Sequence, residues 1–269
     1  MKKLLYFSIS FVCILPAYSC TKGIMQYKDN EHIKSVFWNG APNQMYFYNQ
    51  TGNIVEQSSL YRYSKYVYDE NERLIKVETA FDPNLFSSSL PVQKTEFMTS
   101  QNSTITQYSL YEYGPTGRLL KTESYLFNET DKKFEYRSTQ TFEYEGSFIA
   151  KVNVHDLGGA ITNFHVYLYD DRGNVVTEKQ YSNLLYPSEL IRETFYKYDN
   201  HKNPFLIFSI LGAPGLYSNA NNIIETTSVL QINVPGIDKF TNSKTTYQYN
   251  KKGYPAKVMY ENGVEEYKY

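Results

Sequence analysis

The sequence predicts an all-β protein, an antiparallel meander of about seven β-hairpins that is strongly curled or barrel-like. Three observations carry this prediction. The 269 residues include 28 tyrosines and one tryptophan, and aromatic side chains suit a pleated, half-buried surface. A short motif of aromatic-x-Tyr, a polar turn and an alternating stretch recurs seven times. No segment after the N-terminal leader shows the 3.6-residue apolar period of a long amphipathic helix.

The elements follow in chain order. Lys2 and Lys3 precede an apolar run, Leu4 to Leu15, of 12 residues. That run is too short to span a bilayer and has the layout of a secretory signal. It ends in PAYSC, with small residues at Ala17 and Ser19 before Cys20. Residues 1–19 are therefore read as a lipoprotein signal peptide and Cys20 as the lipidated first residue of the mature chain. The alternative is ordinary signal cleavage nearby. Cys13 lies in the leader, which leaves Cys20 as the single mature cysteine and excludes an intramolecular disulfide. Residues 20–33 read as a polar tether, and residues 34–269 as one repeat-built β domain.

The seven copies are YFYNQTGNIVE from Tyr46, YVYDENERLIKVE from Tyr66, YEYGPTGRLLKTE from Tyr111, FEYEGSFIAKV from Phe142, YLYDDRGNVVTEK from Tyr167, YKYDNHKNPF from Tyr196 and YQYNKKGYPAKV from Tyr247. Aromatic-x-Tyr places two rings on one face of a strand, because strand side chains alternate. Asp69, Asp170 and Asp199 suit the first position of a type I turn, where a carboxylate caps backbone amides. Gly117, Gly173 and Gly253 supply the positive φ that closes such a loop with a bulge. The stretch after the turn is the returning strand. In it Leu119, Lys121 and Glu123 are expected on one face and Leu120, Thr122 and Ser124 on the other. The copies start 20, 45, 31, 25, 29 and 51 residues apart. That spacing excludes a solenoid of fixed period and fits a meander with tight turns at one end and variable connections at the other. Segments such as Gln93 to Met98 and Ile105 to Tyr111 add strands, for about 14 in all.

One segment departs from the pattern. PFLIFSILGAPGLY, Pro204 to Tyr217, is strongly apolar and runs into polar SNANN. It reads as a plug at one end of the sheet's core or as a binding loop over a pocket. Phe205, Phe208, Leu211 and Tyr217 are the candidate ligand-binding residues.

The form in YEYGPTGRLL and YLYDDRGNVV resembles the YD repeats of Rhs-type and teneurin-type proteins, which build β-hairpins into long coiled sheets. From about residue 35 onward the chain also resembles uncharacterised tyrosine-rich lipoproteins of Bacteroidales-type bacteria, a domain of unknown function with a porin-like fold. Three motifs in order carry that likeness: YKYDNHKNPF from Tyr196, SNANN from Ser218 and YQYNKKGYP from Tyr247. The resemblance brings no catalytic residues with it.

Charge and composition narrow the function. A net charge of -1 without a basic block disfavours nucleic-acid binding, which needs a positive footprint. His32, His155, His165 and His201 show no paired metal spacing, and the chain has no Gly-x-Ser-x-Gly elbow or phosphate-binding glycine loop. Glu265 and Glu266 are adjacent and point to opposite faces of a strand. The chain is read as a non-enzymatic binding or scaffold module without metal or cofactor. It is exported to the outer membrane or periplasm and held to a membrane through Cys20, with a glycan or an envelope protein as partner. An integral outer-membrane barrel and a glycan-active enzyme are the alternatives.

Overall fold

In the computed structural model, which describes residues 31–82, 95–184, 188–232 and 236–269, the motif folds through its turn. Asp170 shows how. Its Oδ1 accepts hydrogen bonds from the backbone N–H groups of Arg172 and Asn174, both at 2.9 Å. The Gly173 N–H then donates to Asp170 O at 3.0 Å. Asp69 caps Asn71 and Arg73 in the same way, and so do Asn49 and Asn250 in their copies. The residue that closes the loop is left-handed, with φ +77° at Gly117, +86° at Gly173 and +81° at Gly253. In the second copy a glutamate occupies this position, and Glu72 has φ +59°.

Each turn feeds a bulge. The pairing shifts by one residue just before the second tyrosine of the motif, at Tyr48, Tyr68, Tyr113, Tyr144, Tyr169, Tyr198 and Tyr249. An extra residue in the returning strand flips its alternation. The expected faces of the 119–124 stretch are corrected accordingly: Leu119 is 7% exposed and shares the inner face with Thr122 (6%), whereas Leu120 is 44% exposed.

Seventeen strands result among the described residues. They are β1 (Ser35–Trp38), β2 (Ala41–Tyr48), β3 (Ile54–Ser59), β4 (Arg62–Tyr68), β5 (Leu74–Phe81), β6 (Gln107–Tyr113), β7 (Leu119–Asn128), β8 (Lys133–Glu145) and β9 (Phe148–His155). The remainder are β10 (Ile161–Tyr169), β11 (Val175–Ser182), β12 (Glu189–Lys202), β13 (Asn221–Leu230), β14 (Phe240–Lys244), β15 (Thr246–Tyr249), β16 (Pro255–Tyr260) and β17 (Gly263–Lys268). All pairings are antiparallel, and β1 pairs with both β2 and β17. The strands β14 and β15 are two parts of one extended run broken at Thr245. The first pairs with β13 and the second with β16. The meander therefore curls into a nearly closed barrel.

Three expectations change at this level. Thr95 to Met98, the described part of the strand expected at Gln93–Met98, is not a strand. Met98 instead packs outside the wall against Tyr63 and Ala80, where Ser58 Oγ donates to its carbonyl. The last residues of the expected tether pack into the barrel. Ile33 is fully buried, and His32 stacks on Tyr48 at 4.6 Å. The copy from Tyr196 is no tight hairpin: β12 runs on to Lys202, and the chain returns only at Asn221. The larger number of strands reflects short pieces such as β1 and β14, which lack the motif. The leader and Cys20 lie outside the described residues.

Inside the barrel the repeat has a structural task. The second tyrosine of a copy reaches sideways and donates its hydroxyl to a backbone carbonyl at the start of a neighbouring hairpin's returning strand. Tyr68 reaches Ile54 O (2.8 Å), Tyr144 reaches Leu119 O (2.9 Å), Tyr169 reaches Ile149 O (2.8 Å) and Tyr198 reaches Val175 O (2.6 Å). Tyr48 and Tyr269 make equivalent bonds to Ile33 O and Pro255 O. A buried carbonyl needs a partner, and the tyrosine supplies it while its ring fills the core. The first aromatic of the motif lies one layer deeper, and there Phe142 serves as well as Tyr46, Tyr66 or Tyr167.

Candidate functional site

The tight-turn end of the barrel is closed by the segment between β12 and β13. Asn203 caps a 3-10 helix, Pro204–Leu211, by accepting from the Phe205 N–H at 2.9 Å. Proline fits the start of this helix because its missing donor is not needed there. The helix then drops apolar side chains into the barrel. Phe208 is 3% exposed and packs edge-on to Tyr46 at 5.6 Å, with Tyr66 and Tyr217 at 6.4 and 5.3 Å. Phe205 meets Tyr267 at 5.6 Å, and Leu211 joins the same cluster. The structure thus brings all four candidate residues, Phe205, Phe208, Leu211 and Tyr217, into one plug. Phe205 and Phe208 are engaged with tyrosines of the wall, and Tyr217 packs on Phe208. Gly212, φ +66°, lets the plug turn over the far wall, where an added Cβ would stand 2.7 Å from Leu119.

The polar stretch after the plug locks it. Asn219 Oδ1 accepts from the Val175 N–H (2.9 Å), and its Nδ2 donates to Gly215 O (2.7 Å). Asn221 and Asn174 exchange two bonds at 3.0 Å. Asp199 accepts from the backbone N–H groups of His201 and Asn222 and from the Tyr249 hydroxyl. Asn174 and Asn219 are at most 1% exposed, so these amides are fully committed to the fold. The asparagines of SNANN were legible as a motif, but the partners of Asn219 and Asn221, Val175 and Asn174, lie about 45 residues away, beyond any local pattern.

Beneath the plug the lumen becomes polar. Glu178, on the inner face opposite Tyr167, lies 2.8 Å from His165 Nδ1 and accepts from the Tyr196 hydroxyl at 2.8 Å. Burial pushes the Glu178 carboxyl up. The hydrogen bonds from His165 and Tyr196, with the charge of Arg192, outweigh it and hold the carboxyl below its usual range. Across the sheet Glu265 faces inward and accepts from Tyr260 (3.2 Å) and Tyr267 (2.9 Å), while Glu266 faces outward to Lys257 at 2.8 Å. His155 bonds Thr141 and Gly159 O, and His201 stacks on Tyr249 at 3.7 Å. Among the described residues no group of three or more His, Cys, Asp and Glu side chains has the layout of a metal site.

Towards the other end, a cavity of about 340 Å³ opens between β12, β13, β14 and the connection before β14. Its lining includes Arg192, Thr194, Thr226, Ser228, Lys239 and Thr241. Register places Thr194 opposite Ser228 and Glu178, hence on the inner face. Sequence reasoning missed this cavity, because its residues come from three strands and carry no motif.

The outer wall has a different chemistry. Cross-strand ion pairs run along it: Lys121–Glu112 (2.8 Å), Lys151–Glu143 (3.3 Å), Lys179–Glu193 (3.2 Å), Lys197–Glu225 (3.2 Å) and Lys257–Glu266 (2.8 Å). Each alternates with an inward residue such as Thr122, Val152, Thr194 or Val258.

Comparison with known proteins bears on the fold. The chain is similar to a porin-like protein from Bacteroides vulgatus, with a TM-score of 0.51, 10% identity, and coverage of 89% of this chain and 99% of that one. A porin-like protein from Bacteroides uniformis aligns with a TM-score of 0.41 at 9% identity over 89% of this chain and 98% of the other. A TcdB2–TccC3 structure aligns at 0.30 and 13% identity over 76% of this chain and 10% of that one. No family model and no curated protein matches. The first of these shows a porin-like barrel fold.

Proposed function

We propose that this protein is a water-facing, plugged β-barrel of the cell envelope, held to a membrane by lipid on Cys20 and acting as a binding module without catalysis. The observation that carries the reading is the charged outer wall. A lysine on the lipid face of a transmembrane barrel costs roughly 2–4 kcal/mol at the bilayer midplane, and this wall carries lysine–glutamate pairs on strand after strand. Paired or not, such a surface suits water, and the same wall counts against an integral outer-membrane barrel. The lipid signal at the N-terminus supplies the membrane attachment that the wall does not. Several acyl chains suffice for stable anchoring, at about 0.8 kcal/mol per buried methylene. The plug leaves one end of the barrel sealed, so binding falls to the polar, open end, with a glycan or an envelope protein as the partner class.

Metabolic labelling with a fatty acid, followed by carbonate extraction, tests this. The wild-type chain takes up label and stays with membranes, whereas Cys20→Ala takes up none and is released. Retention of Cys20→Ala in the carbonate-washed membrane contradicts the proposal.

A further inference from the structure

The cavity at the open end has a specific chemical character. Arg192 and Lys239 bring two positive charges to it and Asp238, at its rim, one negative. Thr194, Thr226, Ser228 and Thr241 line it with hydroxyls. The Thr194 and Ser228 hydroxyls bond each other at 3.3 Å. By contrast, Thr226, Thr241 and the Arg192 guanidinium have no hydrogen-bond or ion-pair partner among the described residues. Elsewhere on this chain such groups are engaged: Arg73 bonds Asp69, Arg172 bonds Asp170 and Asn200, and Arg62 bonds Ser64. Arg118 and Arg137 are likewise engaged, by Gly146 O and Glu135, so Arg192 is the one arginine among the described residues left without such a partner. The site is also accessible, since Arg192, Lys239 and Thr241 are exposed while Thr194 at its floor is buried. Leu230 and Ile237 provide one apolar edge. A volume of about 340 Å³ falls in the range of small-molecule pockets, roughly 300–1,000 Å³.

We infer that this cavity is a binding site for a small hydroxyl-bearing anion. The Arg192 fork engages the ligand's carboxylate or phosphate, a geometry a guanidinium matches with two parallel bonds. Lys239 adds charge at the mouth, and the threonine and serine hydroxyls meet the ligand's own hydroxyls. The inference rests on the reading of the barrel as a binding module and names the chemistry its open end selects.

The experiment titrates the intact chain in detergent with three probes: glucuronate, glucose and acetate. Glucose keeps the ring and hydroxyls without the charge, and acetate keeps the charge without the hydroxyls. Glucuronate is expected to bind at least about tenfold more tightly than either, a difference of about 1.4 kcal/mol. Arg192→Gln and the double variant Thr226→Val/Thr241→Val each weaken glucuronate by about tenfold with unchanged melting temperature, and Arg192→Lys recovers part of the loss. Equal binding of glucose or acetate, binding unaffected by Arg192→Gln, or no binding of any probe overturns the inference. A negative result here leaves the lipid-tethered barrel standing, because that reading is tested by extraction and labelling.

Discussion

Replacing Tyr68 with phenylalanine isolates the contribution of the repeat's second tyrosine. The change removes one hydroxyl and leaves the ring, so packing against the core is kept. The hydroxyl donates to Ile54 O at 2.8 Å, and Ile54 is fully buried. The substitution removes this donor from the Ile54 carbonyl. A typical hydrogen bond contributes about 1 kcal/mol net, and a buried acceptor left unpaired costs about 1–3 kcal/mol. The expected loss for Tyr68→Phe is therefore about 1–2 kcal/mol. For a domain of this size that corresponds to a fall in Tm of roughly 2–4 °C per kcal/mol. Tyr169→Phe and Tyr198→Phe remove the equivalent bonds to Ile149 O and Val175 O and should show similar losses. Tyr68→Phe and Tyr198→Phe share no partner, so their effects should add. Tyr181 provides the control. It lies on the outer face, stacked on Phe164 at 4.7 Å, and its hydroxyl has no partner among the described residues. Tyr181→Phe should stay within about 0.5 kcal/mol of wild type. Urea unfolding monitored by circular dichroism gives all four values. Losses for Tyr68, Tyr169 and Tyr198 no larger than that for Tyr181 refute the argument that the tyrosines join hairpins through their hydroxyls.

Further predictions concern the turns, the plug and pH. Gly173→Val forces a branched side chain into φ +86° with its Cβ 3.1 Å from Phe148, and should destabilise by about 1–3 kcal/mol. Glu72→Gly relieves φ +59° and should raise Tm, with a gain in stability of about 1 kcal/mol at most. No change in either melting curve removes the turn assignment. Phe208→Ala opens a hole beneath the plug and should cost about 3–5 kcal/mol, and Asn219→Ala should expose the plug to limited proteolysis before the wall unfolds. The interior tyrosines, Tyr48, Tyr68, Tyr167 and Tyr198 among them, have hydroxyl pKa values raised first by burial and then by nearby phenols or carboxylates, and Tyr113 is pushed up to about 12. A raised folded-state value contributes stability below the unfolded value of 10.0, and that stability is lost as pH rises. Phenolate absorbance should thus appear in two phases, exposed tyrosines first and interior ones together with unfolding. A single phase with the fold intact contradicts the burial. At the acid end Glu178 is held low, so its contribution is present above the ordinary carboxylate value of 4.5 and fades as pH falls through its lower folded value.

Much of the barrel was readable because its information is local. Aromatic-x-Tyr fixes a face, Asp or Asn caps the next amides, and a left-handed residue closes the loop, all within about ten residues. The bulge was not readable in its consequences. One extra residue reverses the alternation, which is why Leu119 and Leu120 exchange faces relative to the simple pattern. The plug was legible as an apolar interruption between Pro204 and Tyr217, but its seat was not, because Tyr46, Tyr66 and Tyr267 approach Phe208 and Phe205 from opposite ends of the sequence. The same holds for the open cavity. Arg192, Thr226 and Thr241 stand on three strands, and nothing in their neighbourhoods distinguishes them from ordinary strand residues. The reason for the tyrosine at the second motif position also emerges only in three dimensions: Tyr68, Tyr144, Tyr169 and Tyr198 each meet a carbonyl of another hairpin, and Tyr249 meets the Asp199 carboxylate.

The most direct test of a water-facing wall is sedimentation velocity of the chain beginning at Thr21, which lacks both leader and Cys20, in buffer without detergent. The account predicts a single soluble species with the circular dichroism of a β-protein and no change on adding mild detergent. Aggregation that detergent reverses would show that the outer wall seeks lipid, and would contradict the account.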